Sequence, residues 1–153
     1  MAGPVPIDRL QELVGTELGP SEWMVVDQER IDLFAAVTED HQFIHVDRDL
    51  AAQGPFGTTI AHGFLTLSLL TRLGSEFLIQ PEGAVMLINY GFDKVRFLAP
   101  VRSGSRIRAR ATVLDATERK PGQVLLRYGF TIEIEGEDTP ALSAEWLTLG
   151  FVG

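Results

Sequence analysis

The stretch Ala61-His62-Gly63-Phe64-Leu65-Thr66-Leu67-Ser68-Leu69-Leu70-Thr71-Arg72-Leu73-Gly74-Ser75-Glu76-Phe77 decides how this chain folds. Phe64, Leu65, Leu67, Leu69, Leu70, Leu73 and Phe77 make a helix over residues 61–77 apolar on nearly every side. A helix of that kind is buried, so other elements have to wrap it. The apolar run is interrupted by Thr66, Ser68, Thr71 and Arg72 and is too short to span a membrane.

The residues downstream supply the wrap. Residues 84–90 read as a strand, and residues 94–97 as another that ends at Pro100. In residues 106–116, Ile107, Ala109, Ala111 and Val113 face one way while Arg106, Arg108, Arg110 and Thr112 face the other. Leu126, Tyr128, Phe130, Ile132 and Ile134 alternate again, and Pro140 leads into a last strand with Leu142, Ala144 and Trp146 on one face. Turns fall at Arg119-Lys120-Pro121-Gly122 and Glu135-Gly136-Glu137-Asp138. The upstream half is helical. Ile7, Leu10, Leu13 and Val14 have helical spacing up to Gly15, and residues 23–26 form a short strand. Asp27 caps a helix over residues 28–37 with Ile31, Phe34 and Ala35 inward, and Asp47 caps a short helix through Ala52. A helical half followed by a strand half predicts an α+β fold, an antiparallel meander of long strands curled about one long central helix.

Composition narrows the function classes. At 153 residues the chain reads as one domain over residues 1–153, with 45% hydrophobic and 22% charged residues, as in an ordinary globular protein. It has no cysteine, hence no disulfide framework and no thiolate metal site. Met1 to Asp8 carries neither a basic n-region nor a long apolar segment, so no signal peptide is expected and a cytoplasmic location is. A net charge of -8 argues against nucleic-acid binding. Against that balance, Lys94, Arg96, Arg102, Arg106, Arg108 and Arg110 face a single acid, Asp93. They are either a solvated strand face or a landing strip for a small polyanion such as a nucleotide-tailed carrier.

Chemistry concentrates in two histidine clusters, Glu39-Asp40-His41-Gln42-Phe43-Ile44-His45 and Ala61-His62-Gly63-Phe64. A carboxylate and an imidazole sharing one water can divide the transfer of two protons between them. Alternatively, Asp40 caps a turn and His45 is a buried, hydrogen-bonded core histidine. Gly63 opens the central helix with a free backbone N–H, which can hold a carbonyl oxygen as it becomes an enolate. Glycine there also allows close packing alone. Three histidines with Asp40 raise the question of a metal, but their spacing matches no zinc signature. No Gly-x-Ser-x-Gly elbow and no phosphate-binding glycine run is present. No metal and no cofactor is therefore expected.

These residues resemble the MaoC-like (R)-specific enoyl-CoA hydratases, a branch of the hot-dog fold. The family motif Gly-Asp-x-Asn-Pro-x-His is matched by Asp40 and His45 at the same five-residue interval, and Gly63 of a His-Gly pair follows eighteen residues after His45. Residues 90–101, Tyr-Gly-Phe-Asp-Lys-Val-Arg-Phe-Leu-Ala-Pro-Val, resemble the family's strand-to-strand segment, and the likeness covers residues 23–149. Glu39, Gln42 and Phe43 stand where the family has Gly, Asn and Pro, a variant loop similar to the nodulation protein N subgroup. The resemblance implies reversible hydration of trans-2-enoyl-CoA to (R)-3-hydroxyacyl-CoA. Asp40 is then the base toward water, His45 its partner donor (or the reverse), and the Gly63 N–H takes the thioester oxygen. Gln42, Phe43, His62 and Thr71 become candidate substrate contacts, with Phe43 reshaping the acyl pocket and Thr71 offering a hydroxyl. The implied partners are an acyl-CoA or acyl-carrier-protein thioester and a second copy of the chain, in a homodimer whose seam lies near Asn89 and Tyr90. A hot-dog thioesterase and a non-catalytic acyl-thioester or lipid binding module are the competing functions. The thioesterase needs an acid on the central helix, and residues 61–75 carry none.

Overall fold

A computed structural model describes residues 3–153. Met1 and Ala2, which begin the segment expected to carry no leader, lie outside them. A 3-10 helix, Ile7–Leu13, buries Leu10 and stops ahead of Gly15, whose φ of 89° few other residues tolerate. Two short strands follow, β1 (Glu17–Leu18) and β2 (Met24–Val26). Helix α1 (Gln28–Thr38) is capped as expected, with the Asp27 carboxylate accepting from the Arg30 amide at 2.9 Å. Helices α2 (Phe43–Val46) and α3 (Arg48–Ala52) come next, and Asp47 caps α3 by accepting from the Leu50 amide at 2.9 Å.

The central helix is shorter than its apolar spacing predicts and comes in two pieces, α4 (Gly63–Ser68) and α5 (Leu70–Gly74). The Ser68 hydroxyl donates back to the Phe64 carbonyl at 2.7 Å, a bond that competes with the helical ladder where the two pieces meet. Leu69 between the pieces keeps right-handed backbone, so the axis continues. Leu65, Leu69, Leu70 and Leu73 are buried, the last two 1% exposed, and such burial stabilises by roughly 1.5–3 kcal/mol per leucine. The residues that leave this core form one stripe. Phe64, Ser68, Thr71 and Ser75 are all exposed, at the spacing of a single helix face.

Four long strands wrap the helix: β3 (Ala84–Phe97), β4 (Ser105–Lys120), β5 (Gln123–Ile134) and β6 (Leu142–Val152). The sheet order is β1-β4-β5-β6-β3, with β2 also on β4, and every pairing is antiparallel. This corrects the meander in one respect, because β3 pairs with the last strand and, among the described residues, no strand pairs with its outer edge. It also merges two expected strands. Residues 84–97 form one strand that keeps pairing through register shifts at Asn89/Gly91 and Asp93/Arg96, with Lys94 at φ 53°. On β4 and β5 the alternation holds: Ile107, Ala109, Ala111 and Val113 are buried opposite Ile134, Ile132, Phe130 and Tyr128.

The basic strip is matched by acids. Arg106 pairs with Glu135 at 2.9 Å, Arg108 and Arg110 share Glu133, and Lys94 pairs with Glu145 at 3.1 Å. The Arg108 guanidinium also lies 4.4 Å over the Trp23 ring. Arg106, Arg108, Arg110 and Lys94 thus lie on a solvated face with acids already beside them, whereas Arg96 donates only to the Val95 carbonyl. Among the described residues no helix is long and apolar enough to cross a membrane.

Candidate active site

The loop between α1 and α2 presents Asp40. Glu39 ends α1 in the left-handed region, φ 62° and ψ 18°, which turns the chain sharply at the acid. A left-handed non-glycine residue costs roughly 1–2 kcal/mol, which accounts for the glycine in the family motif at this position. Two short-range bonds hold the turn: the Asp40 amide donates to the Thr38 hydroxyl at 3.4 Å, and the Gln42 amide donates to Asp40 Oδ1 at 3.3 Å.

His45 sits on α2, buried, with Nδ1 2.7 Å from the Ile60 carbonyl. A carbonyl only accepts, so Nδ1 carries the proton and the neutral ring leaves Nε2 as an acceptor. Among the described residues Nε2 has no partner, yet it is not among the sealed-off polar atoms of the core and opens to the cleft. Burial pulls the His45 pKa below its ordinary value. The Ile60 carbonyl opposes that shift, neighbouring His62 adds to it, and Asp40 pulls the other way.

Sequence reasoning missed the support behind His45. Gln28, buried at the start of α1, donates from Nε2 to the His45 carbonyl at 2.7 Å and to Asp32 at 2.8 Å. Its own oxygen accepts from the buried Thr59 hydroxyl. A glutamine at an inward position of a predicted helix was the available signal.

His62, 3% exposed, stacks on His45 with ring centroids 3.8 Å apart and 23° between planes. Its Nε2 donates to the Asp40 carbonyl at 3.0 Å, while its Nδ1 is buried without a partner. One donor atom each from Asp40, His45 and His62 lies within 4.8 Å of the others. A metal would need ring lone pairs that converge in the imidazole planes. Stacked rings aim theirs side by side, and two of the four ring nitrogens already serve backbone carbonyls.

These groups open on a cleft of about 440 Å³ lined by Phe34, Thr38, Asp40, His45, His62 and Gly63, with Phe64 and Phe97 at its edge. Gly63 also borders a neighbouring cleft of about 250 Å³. Its N–H begins α4 and takes no protein acceptor among the described residues. A Cβ at this position would stand 3.1 Å from the Phe97 ring, so any larger residue would have to push that ring aside. Asp40, His45, His62 and Gly63 are thus brought together. Gln42 and Phe43 are exposed and outside the cleft lining, Gln42 serving through its backbone amide and Phe43 lying beside Gly54. Thr71 lines a different cavity at the far end of the central helix.

A profile of the MaoC like domain matches residues 9–131. The chain belongs to the MaoC-like domain family. Nodulation protein N of Rhizobium meliloti (strain 1021) is 47% identical to this MaoC-like protein over 146 residues, 95% of this chain and 91% of the relative. The 3-hydroxyacyl-thioester dehydratase Z of Mycobacterium tuberculosis (strain ATCC 25618 / H37Rv) is 47% identical over 136 residues, 89% of each chain. Among solved structures, the (R)-hydratase from A. caviae involved in PHA biosynthesis superposes with a TM-score of 0.72 at 26% identity, over 88% of this chain and 94% of that one. The MaoC-like protein therefore has the hot-dog fold of a dehydratase family, and its relatives include named hydratases and dehydratases.

Proposed function

We propose that this protein adds water across the double bond of a trans-2-enoyl thioester and, in reverse, dehydrates the (R)-3-hydroxyacyl thioester. One observation carries the reading: Asp40 and the free Nε2 edge of His45 share a cleft with the unpartnered Gly63 N–H. A ring nitrogen of His45 and a carboxylate oxygen of Asp40 lie within 4.8 Å of one another, a separation that one bridging water can span. The dehydratase and (R)-hydratase names of the relatives support the same chemistry and its stereochemistry.

The ring's hydrogen bonds favour His45 both as the base toward water and as the donor to C2, with Asp40 orienting the water. With Nδ1–H committed to Ile60, neutral His45 is an acceptor, so Nε2 takes a proton from water as the water oxygen bonds to C3. The electron pair of the double bond moves to the thioester oxygen, which the Gly63 N–H holds as an enolate. The enolate collapses and the imidazolium returns its proton to C2. Asp40 accepts a hydrogen bond from the second hydrogen, which stays on the oxygen as the product hydroxyl, and with the Ile60 carbonyl favours the transient imidazolium. Coenzyme A and an acyl carrier protein are both suitable carriers.

A second copy of the chain is expected to cover β3. Val85, Met86, Leu87, Ile88 and Tyr90 are all exposed along an unpaired edge. Sedimentation would give a dimer mass if this holds and a monomer mass if it does not. A thioesterase is expected to place its acid on the central helix, whereas Asp40, the only acid lining the cleft among the described residues, lies on the loop before α2. The deciding experiment follows the loss of enoyl-thioester absorbance with crotonyl-CoA. Wild type consumes it, whereas Asp40→Asn and His45→Gln do not; full activity in either variant ends the assignment.

A further inference from the structure

One side chain touches every part of the cleft that the hydration uses. His62 precedes Gly63 directly, at the start of α4, so it is joined to the amide donor by a peptide link. Its ring stacks on His45 with centroids 3.8 Å apart and packs against Phe34 at 4.9 Å. Its Nε2–H reaches 22 residues back along the chain to the Asp40 carbonyl, at 3.0 Å. Acid, base and amide donor therefore meet at one residue, through a hydrogen bond, a ring stack and a covalent neighbour.

The sequence offers His62 as a substrate contact, but its ring nitrogens are not free for one. The residue is 3% exposed, Nε2 is committed to Asp40, and Nδ1 is sealed in the core without a partner. A carbonyl only accepts, so Nε2 carries the ring proton and Nδ1 keeps a bare lone pair. Buried polar groups are nearly always hydrogen-bonded, because an unpaired one forfeits its hydration without return. A phenylalanine would stack on His45 in the same place with no such loss. What the imidazole adds over it is the single N–H given to Asp40.

That N–H matters because Asp40 is otherwise held weakly. Asp40 is exposed, and it follows Glu39 with its left-handed backbone. The two bonds within its own loop, to the Thr38 hydroxyl and from the Gln42 amide, are 3.4 and 3.3 Å, at the long end for hydrogen bonds. Among the described residues the His62 bond is the shortest hydrogen bond to Asp40, and it comes from a different element of the fold. The carboxylate has to stay within 4.8 Å of a His45 ring nitrogen for one water to bridge them. Resting on the enoyl-thioester reading of the cleft, we infer that His62 is a positioning residue of the hydration: its Nε2–H pins Asp40 at water-bridging distance from His45, while its ring face holds the His45 imidazole in plane.

Two variants of the full-length protein divide these contacts. His62→Phe keeps the stack and removes the N–H, whereas His62→Gln removes the stack and keeps an amide N–H of similar reach. With crotonyl-CoA, His62→Phe is expected to lower kcat by about ten- to a hundredfold and to leave KM within about threefold of wild type, since misplacing a reacting group by about 1 Å has that order of effect. His62→Gln should retain more kcat than His62→Phe. The thermal midpoint of His62→Phe should stay close to that of wild type, because the sealed Nδ1 is removed together with the bond. In an Asp40→Asn background, His62→Phe should lower kcat by less than about threefold further, because the carboxylate it aims is already gone. An unchanged kcat in His62→Phe overturns the inference, as does an equal loss in both backgrounds. So does a drop of many degrees in melting, which would make His62 a core residue only.

Crystal structures of wild type and His62→Phe separate this inference from the hydration reading. The Asp40 carboxylate should leave its place beside the His45 ring in the variant. A carboxylate that keeps its place overturns the inference, and turnover by wild type then leaves hydration standing. A displaced carboxylate with no turnover of any enoyl thioester by wild type would remove hydration and leave the anchor standing. Neither turnover nor displacement would remove both.

Discussion

The two ends of the central helix treat buried polarity in opposite ways. At the first end, around Gly63, the site is anchored to backbone: His45 donates to Ile60, His62 donates to Asp40, and Gln28 donates to the His45 carbonyl. The principal cleft-facing groups, His45 Nε2, the Asp40 carboxylate and the Gly63 N–H, are those a reaction can use. At the second end the Tyr128 and Trp146 donors are locked by aromatic packing and left without acceptors. The difference separates polar groups held open for chemistry from polar groups closed into the core.

Four measurements can break or sharpen that contrast. The largest effect is expected from Asp40→Asn and His45→Gln, each lowering kcat for enoyl-thioester hydration by roughly 10²–10⁴ while the far-wall aromatics are untouched. Residual activity within tenfold of wild type would mean that the first end is no better organised for reaction than the second. Next, Gln28→Leu leaves the His45 carbonyl and the Thr59 hydroxyl unpaired and should cost about 1–3 kcal/mol in denaturant unfolding. The contrast fails if this variant is as stable as wild type. A smaller change, about 1 kcal/mol of added stability, is expected for Glu39→Gly, which relieves the left-handed residue ahead of Asp40; a loss would show that Glu39 is not strained.

The smallest effect concerns pH. Burial holds His45 below its ordinary value of 6.5, so the unfolded chain binds the proton more readily. The stability tied to a neutral His45 is present above pH 6.5 and is lost as pH falls through the lower folded-state value. Hydration should follow, with kcat/KM holding through pH 6.5 and declining only at more acid pH. Decline beginning above 6.5 would show a ring that is not desolvated.

Legibility from the sequence differs between the same two ends. Asp40, His45 and Gly63 belong to short motifs whose spacing survives in the one-dimensional chain, and Asp27 and Asp47 announce their helices. Strands β4 and β5 are legible because each keeps one face buried over many residues. What failed to show depends on contacts between distant segments. Tyr128 and Trp146 meet only through the β5–β6 register. Gln28 gains its role from α2 folding across α1. Gly91 and Lys94 interrupt the alternation of residues 84–97 and suggest two strands, whereas the backbone absorbs both as bulges in one. Strand β1, two residues long, is too brief to carry a pattern. Gln42 and Phe43 adjoin the motif, yet a neighbour in sequence need not face the same way.

The row of arginines on β4 has a consequence for assembly. Each of these half-exposed ion pairs is worth little as stability. A slip of one residue between β4 and β5, however, would swing Phe130 and Ile132 out to water and drive Glu133 into the apolar interior, stranding Arg108 and Arg110. One error is thus penalised on both faces at once. The charged ladder works less as glue than as a proofreading device, one that lets a wrongly zipped hairpin come apart before the helix is enclosed.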